Sequence, residues 1–204
     1  MKENLTLRAF SFIDNMQPQY AALTGTVVKG DVALAGMAQL YIELKPGSHI
    51  LTILDAALKR SNVKPGFQFV EREFGMIEVH STDVASVKDA GNVILNMCGL
   101  TVEDRVKPII VSEQIIHNID PYQAQLINRF RNGSLLIPGE SVFSMEVEPA
   151  AYITKAVNEA EKHEDIKVVD FEPLGKYGRL YISGREAEII AAREAAIKAM
   201  EDMK

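Results

Sequence analysis

The chain has 204 residues, enough for two domains of about 100 residues, each with a modest core. An apolar fraction of 47% and a charged fraction of 25% are those of an ordinary soluble globular protein, and a net charge of -6 without any Lys/Arg run argues against nucleic acid. A single cysteine, Cys98, excludes an intrachain disulfide; the N-terminal MKENLTLRAF shows no apolar signal segment, and no run approaches the ~18 apolar residues of a membrane span, so a cytosolic location is expected.

In chain order, LRAFSFI reads as a strand. QPQYAALTGTVV follows, with Tyr20, Leu23 and Val27 at helical spacing. A Gly-bounded loop leads to the strand AQLYIEL, and GSHILTILDAALKRSN puts Ile50, Ile53, Leu54, Ala57 and Leu58 on one helical face. QFVEREFGMIEVH reads as a hairpin of two short strands, with Gly75 where a tight turn is wanted. In TDVASVKDAGNVILNM, Thr82 or Asp83 caps a helix whose Val84, Val87, Gly91 and Ile94 face inward. GLTVEDRVKP, from Gly99 to Pro108, is a linker. Beyond it the order recurs: strand PIIVSEQII, helix DPYQAQLINRF with Leu126, Ile127 and Phe130 as its apolar positions, then strand SVFSMEV. Each copy therefore runs β-α-β-α-β-β-α. One apolar face per helix and alternating strands imply an α+β fold with helices packed on a sheet.

A shift of 103 residues superposes the sequence on itself without a gap from Ile13 to Leu95. The matches include Asn15/Asn118, Pro18/Pro121, Ala21/Ala124, Gly30/Gly133, Gly36/Gly139, Glu43/Glu146, Pro46/Pro149, Lys59/Lys162 and Gly75/Gly178. Shared Gly and Pro positions fix backbone geometry, which makes chance a poor explanation. This is a tandem duplication, expected as one domain over residues 1–100 and a second over 101–204.

Signals for catalysis are weak. His49, His80, His117 and His163 stand without a second ligand at metal-binding spacing, and Cys98 at the end of an apolar helix reads as a packed thiol. PLGKYGRL, Pro173 to Leu180, has two glycines and two basic residues that could cradle an anion, although it lacks the spacing of a phosphate loop and also reads as a hairpin tip. Glu71 and Glu73 are a conceivable acid/base pair, but residues two apart on a strand share one face and one environment, while acid/base work needs unlike environments. The two hairpin tips differ sharply: Glu71-Arg72-Glu73-Phe74-Gly75 in the first copy, Leu174-Gly175-Lys176-Tyr177-Gly178 in the second.

GSHILTILDAALKRSNV resembles the first helix of bacterial microcompartment shell domains, where a D-A-x-x-K-x-x-N-V run leads to the strand before the pore loop; Asp55, Ala56, Lys59, Asn62 and Val63 match it. Two copies, each opening on a strand and helix that ordinary shell domains carry at the end, are similar to the circularly permuted tandem subgroup. FIDNMQPQ, VKPGFQFVEREFGMIEVH, DPYQAQLINRFRNGSLLIPGES and GRLYISGREAEI resemble its carboxysome-type members. The resemblance implies two permuted microcompartment domains, each a mainly antiparallel sheet packed with helices, and a shell facet protein with no enzymatic activity and no cofactor or metal. It implies a homotrimeric pseudohexamer, with stacking of two trimers known in the subgroup, set among other shell hexamers and pentamers inside the cytoplasm, and partnered by neither nucleic acid nor membrane. It puts Glu71 and Arg72 at a large gated pore with Glu73, Phe74 and Gly75 beside them. The second-copy tip, Leu174 to Gly178, lies around the same opening, and Lys59 and Lys162 lie at tile edges. The alternative reading is a tandem α+β regulatory protein that senses a small anion at LGKYGR.

Overall fold

The computed structural model describes residues 5–203; Met1–Asn4, read above as lacking a signal segment, lie outside the described residues. The first copy contributes β1 (Thr6–Ile13), α1 (Pro18–Val27), β2 (Ala38–Lys45), α2 (His49–Arg60), β3 (Lys64–Glu71), β4 (Phe74–Ser81) and α3 (Val84–Cys98). The second contributes β5 (Ile109–Ile116), α4 (Pro121–Asn128), β6 (Ser141–Glu148), α5 (Ile153–His163), β7 (Lys167–Glu172), β8 (Gly178–Gly184) and α6 (Glu186–Glu201). The β-α-β-α-β-β-α order thus holds in both. Each copy forms one four-stranded, wholly antiparallel sheet, ordered β1-β2-β4-β3 and β5-β6-β8-β7.

The compact units are not the contiguous halves expected from the repeat. One holds the described residues up to Met16 with Val27–Lys107; the other holds Gln17–Thr26 with the described residues from Pro108 onward. Helix α1 belongs to the second unit although its sequence lies in the first copy. The expected linker is structured as well: a 3-10 turn spans Val102–Asp104, Leu100 and Val102 pack on the first core, and the Val106 N–H donates to the Leu7 carbonyl at 3.0 Å.

The duplication extends to backbone irregularities. Both sheets shift register at matching places, between Leu7 and Ala9 and between Ile110 and Ser112, and again at Pro65/Phe67 and Val168/Asp170. Such bulges bend a strand and re-aim its side chains, and their retention in both copies marks them as part of the frame. The peptide bonds before Pro46 and Pro149 are both cis.

In the first unit, Leu40, Ile42 and Leu44 of β2 and Ile77 and Val79 of β4 face Ile50, Ile53, Leu54 and Ala57 of α2 and Val87, Ala90 and Ile94 of α3, forming the core. Helix α3 starts where expected: the Asp83 carboxylate accepts from the Ala85 and Ser86 N–H groups, and Gly99 ends it at φ 67 in the left-handed region that glycine tolerates. Cys98 is its last residue and is buried, and burial pushes its thiol pKa up, as for an inert packed thiol. Leu58 does not share the buried face of α2 as expected; it is 38% exposed.

Gly75 corrects another expectation. The turn is made by Arg72 and Glu73, and Gly75 is the second residue of β4. A Cβ there would press into the carbonyl oxygen of Gly47 and approach Ile50 Cγ2 to 2.7 Å. Gly178 meets the same constraint from the Ala150 carbonyl and from Ile153 Cβ at 2.7 Å. Both glycines are kept for close backbone approach at the start of α2 or its counterpart, and not for a turn.

Strand alternation suggests polar residues facing water on β2 and β4, yet Gln39, Glu43, Glu78 and His80 are all buried. Their hydrogen bonds explain how. One Glu78 oxygen accepts from Gly66 N–H at 2.9 Å, and the other accepts from Gln39 Nε2 at 3.0 Å and faces His80 Nδ1 at 3.0 Å. His80 Nε2 meets Asp31 Oδ1 at 3.1 Å, and Asp31 also accepts from Lys64 Nζ at 3.0 Å. Both imidazole nitrogens thus face carboxylates, which favours the doubly protonated ring. Burial pulls its pKa down, but the hydrogen bonds and charges of Glu78 and then Asp31 outweigh that and raise it above 6.5. A raised folded-state pKa stabilises the fold fully at pH below the unfolded value, and the gain disappears as pH rises through the folded value. Wild type should therefore lose its melting-temperature advantage over His80→Gln as pH rises above about 6.5. An advantage that is flat across that window would show that His80 is neutral in the fold.

Candidate functional site

The site is the β3–β4 hairpin tip. Glu71 pairs with Phe74 in register, leaving Arg72 and Glu73 as a two-residue turn, and Arg72 adopts φ 44, uncommon for a side-chain-bearing residue. Three contacts, from β1, the end of β2 and the loop that follows it, fasten the tip. Lys45 Nζ donates to Glu73 Oε2 at 2.6 Å, and this bond holds the Glu73 carboxyl below its ordinary pKa. The Arg8 guanidinium lies 3.6 Å from the Phe74 ring centroid, in cation–π geometry, while its Nε donates to buried Glu43 at 2.5 Å. Gly75 lies against Gly47, as described.

Glu73, Phe74 and Gly75 are therefore anchored. Glu71 is half-buried and Arg72 exposed, and among the described residues neither side chain has a hydrogen-bonding or ionic partner. The turn thus separates a pinned side from a free side. Sequence reading missed Arg8, Lys45, Glu43 and Gly47, because they reach the tip through strand pairing and not through local spacing. The Glu43/Glu146 identity between the copies was the available signal.

The second tip is built differently. β7 ends at Glu172, paired with Arg179, so Pro173 to Tyr177 form a longer connection, with Gly175 at φ 93 and Lys176 Nζ 4.9 Å from the Tyr177 ring centroid. Glu146, the counterpart of Glu43, accepts from Arg179 Nε at 2.6 Å. One acid position is thus retained while its cation comes from β1 in the first copy and from β8 in the second. Leu174 and Gly175 stand where the first copy has Glu71 and Arg72.

Lys59 is exposed and bonds Asp55 at 2.7 Å one helical turn away; Lys162 lies 3.7 Å from Glu159 and is half exposed. Pairs of this kind leave an ammonium largely available to solvent or a neighbour. An open cleft of about 360 Å³ includes Gln17, Gln19, Glu161 and His163. The helix N–H groups at its edge already donate to Glu161, so it offers no free anion cradle. Among the described residues no group of His, Cys, Asp and Glu could hold a metal, and no helix is long and apolar enough to cross a membrane.

Two copies of one helix-backed antiparallel sheet, each closing on a hairpin tip, match the architecture that the sequence resemblance implies for a tandem microcompartment shell protein of the permuted type. A family model described as the CsoS1D N-terminal domain matches residues 7–104. The carboxysome shell protein CcmP of Synechococcus elongatus is 47% identical over 97% of this chain and 92% of its own length. The solved fused permuted hexameric shell protein MSM0275 from the RMM microcompartment is 44% identical, with a TM-score of 0.95 over 97% of this chain and 98% of that one. The double-ringed trimeric shell protein MSM0271 from the same compartment is 33% identical, with a TM-score of 0.93 over 98% of each chain. The chain belongs to the CsoS1D-type carboxysome shell protein family. It is a structural shell protein, not an enzyme, and its place is the shell of a bacterial microcompartment in the cytoplasm. The anion-sensor reading is not favoured.

Proposed function

We propose that three copies form a pseudohexameric shell tile whose central pore is lined by the β3–β4 tips, with Glu71 and Arg72 as its gate. The observation that carries this is the division of the tip: Lys45, Arg8 and Gly47 pin Glu73, Phe74 and Gly75, while Glu71 and Arg72 stay free. A gate needs side chains that move on a frame that does not. Around a three-fold axis, three Glu71 and three Arg72 alternate in sign. Opposite charges about 4 Å apart attract by roughly 4 kcal/mol at an effective dielectric near 20, before desolvation is subtracted, and like charges repel on the same scale. Closure then depends on interleaving both residues, and an outward swing costs only a few kcal/mol, the range a switch needs. The second-copy tip, Leu174 to Gly178, lines the opening without this charge alternation. Lys59 and Lys162 lie at tile edges facing other shell hexamers and pentamers, and two tiles stack as in the double-ringed neighbour.

Removing either partner leaves three like charges at the axis. Glu71→Ala and Arg72→Ala should therefore both hold the pore open in crystals while light scattering still reports trimers. Closed pores unchanged in both variants would refute the gate and leave the tile standing.

A further inference from the structure

In the first copy, the segment leading into β2, residues 29–37, is tied to β3 at the bulge around Gly66. The register shift between Pro65 and Phe67 leaves Gly66 without a partner on β4. Its carbonyl accepts from the Lys29 and Gly30 N–H groups at 3.1 and 3.0 Å, and the Pro65 carbonyl accepts from Asp31 N–H at 3.0 Å. Its own N–H goes to buried Glu78, and a Cβ at this position would run into that carboxylate. The bulge thus joins the segment to the polar group around His80.

A side-chain bridge completes the tie. The His80 ring is 1% exposed, with Nδ1 on Glu78 and Nε2 on Asp31. Its register neighbours, Gln39 on β2 and Lys64 on β3, bond those two carboxylates and not the ring. A neutral imidazole has one N–H and can serve only one of the two acids. Glu78 is fully buried and cannot turn to water, so loss of its donor is the costlier outcome. The Asp31 side chain is 37% exposed and keeps Lys64 as a partner. The remaining proton therefore stays on Nδ1, and the Nε2 lone pair faces the Asp31 carboxylate, which repels it.

The second copy has the same backbone tie without the bridge. The Gly133 and Ser134 N–H groups donate to the Val169 and Val168 carbonyls at 2.9 and 2.8 Å. The positions of Asp31, Gln39, Glu78 and His80 hold Ser134, Val142, Tyr181 and Ser183, with no carboxylate or imidazole among them. Ser134 Oγ instead donates to Gln19 Oε1 at 3.1 Å.

We infer that His80 is a proton-operated latch on residues 29–37: the imidazolium holds Asp31 against the β3 bulge, and the neutral ring releases it. Burial opposes the charge on the ring, but Glu78 and then Asp31 outweigh it. The latch is therefore closed below the raised pKa and opens as pH rises through it. The segment it releases presents the exposed side chains of Val32 and Leu34.

Hydrogen–deuterium exchange of the full-length protein, corrected for the intrinsic rise of amide exchange with pH, tests the latch. From about pH 6 to about pH 9, protection of the peptide over residues 29–37 should fall by about tenfold or more, as for loss of a hydrogen bond to a charged group. The matching peptide over residues 132–140 should hold steady. Asp31→Asn removes the repelled carboxylate at an exposed site and should make protection flat with pH. His80→Gln, with its circular dichroism spectrum intact, should do the same. Equal behaviour of the two wild-type peptides overturns the latch. A fall that persists in Asp31→Asn also overturns it, because the titrating pair would then lie elsewhere.

Discussion

Gly75→Ala is expected to lower the melting temperature of the first unit by roughly 12–24 °C, the equivalent of about 3 kcal/mol in a domain of this size. The new Cβ would collide with the Gly47 carbonyl, and neither partner is a side chain that can turn aside. Moving Gly47 displaces the start of α2, whose Ile50 is itself within 2.7 Å of the added atom. Gly178→Ala should do the same to the second unit through Ala150 and Ile153. Gly36→Ala is the control: Gly36 has φ 87 with open space around its Cβ position, so only the backbone preference is lost, about 1 kcal/mol. Calorimetry on the three variants separates the cases. If Gly75→Ala were as mild as Gly36→Ala, close approach would not be why both copies keep the glycine. The hairpin tip would then depend on its side-chain anchors alone.

Element order was legible because it depends on local signals. The period of α2 and α3, the Asp83 cap and the α+β class follow from residues within a turn or two of one another. The shell-domain resemblance likewise rests on short runs such as Asp55 to Val63. What escaped is set by distant pairing. Gly75 is near a turn in sequence, and nothing local shows that Gly47 comes against it. Gln39, Glu43, Glu78 and His80 occupy alternate strand positions that ordinarily face water, and their burial becomes reasonable only once their shared hydrogen bonds are known. Helix α1 has a periodic apolar face in either setting, and its pattern does not say that the receiving edge belongs to the second copy's sheet. The tip charges were visible, but not which were pinned: Glu71 and Glu73 look alike until Lys45 is placed beside one of them.

The copies share a frame and divide the work at its margins. Glu43 and Glu146 are both kept and paired with arginine, so each sheet has a buried or half-buried acid to satisfy near its tip. In the first copy the arginine comes from β1 and also stacks on Phe74, tying the acid to the tip. In the second, Arg179 lies on β8 itself, and the connection beyond it is longer and carries Gly175. Duplication therefore freed one tip to become charged and braced without imposing that on both.

Glu161→Leu is expected to destabilise the second unit by about 2 kcal/mol, since two N–H groups at the start of α1 lose a charged acceptor. Burial raises the Glu161 pKa, and the Gln19 and Tyr20 N–H groups offset only part of that rise. Adding Gln17→Asp to Glu161→Leu gives α1 the kind of cap that Asp120 gives α4, where it accepts from the Tyr122 and Gln123 N–H groups, and should recover about 1 kcal/mol. In the wild-type background the same Gln17→Asp should cost stability, because its carboxylate would face Glu161 across α1's first turn. The double-mutant cycle thus has a favourable coupling of about 1–2 kcal/mol, with a change of sign for Gln17→Asp between backgrounds. Denaturant melts of the four proteins measure it. If Gln17→Asp has the same effect in both backgrounds, the cap and Glu161 act independently on the start of α1.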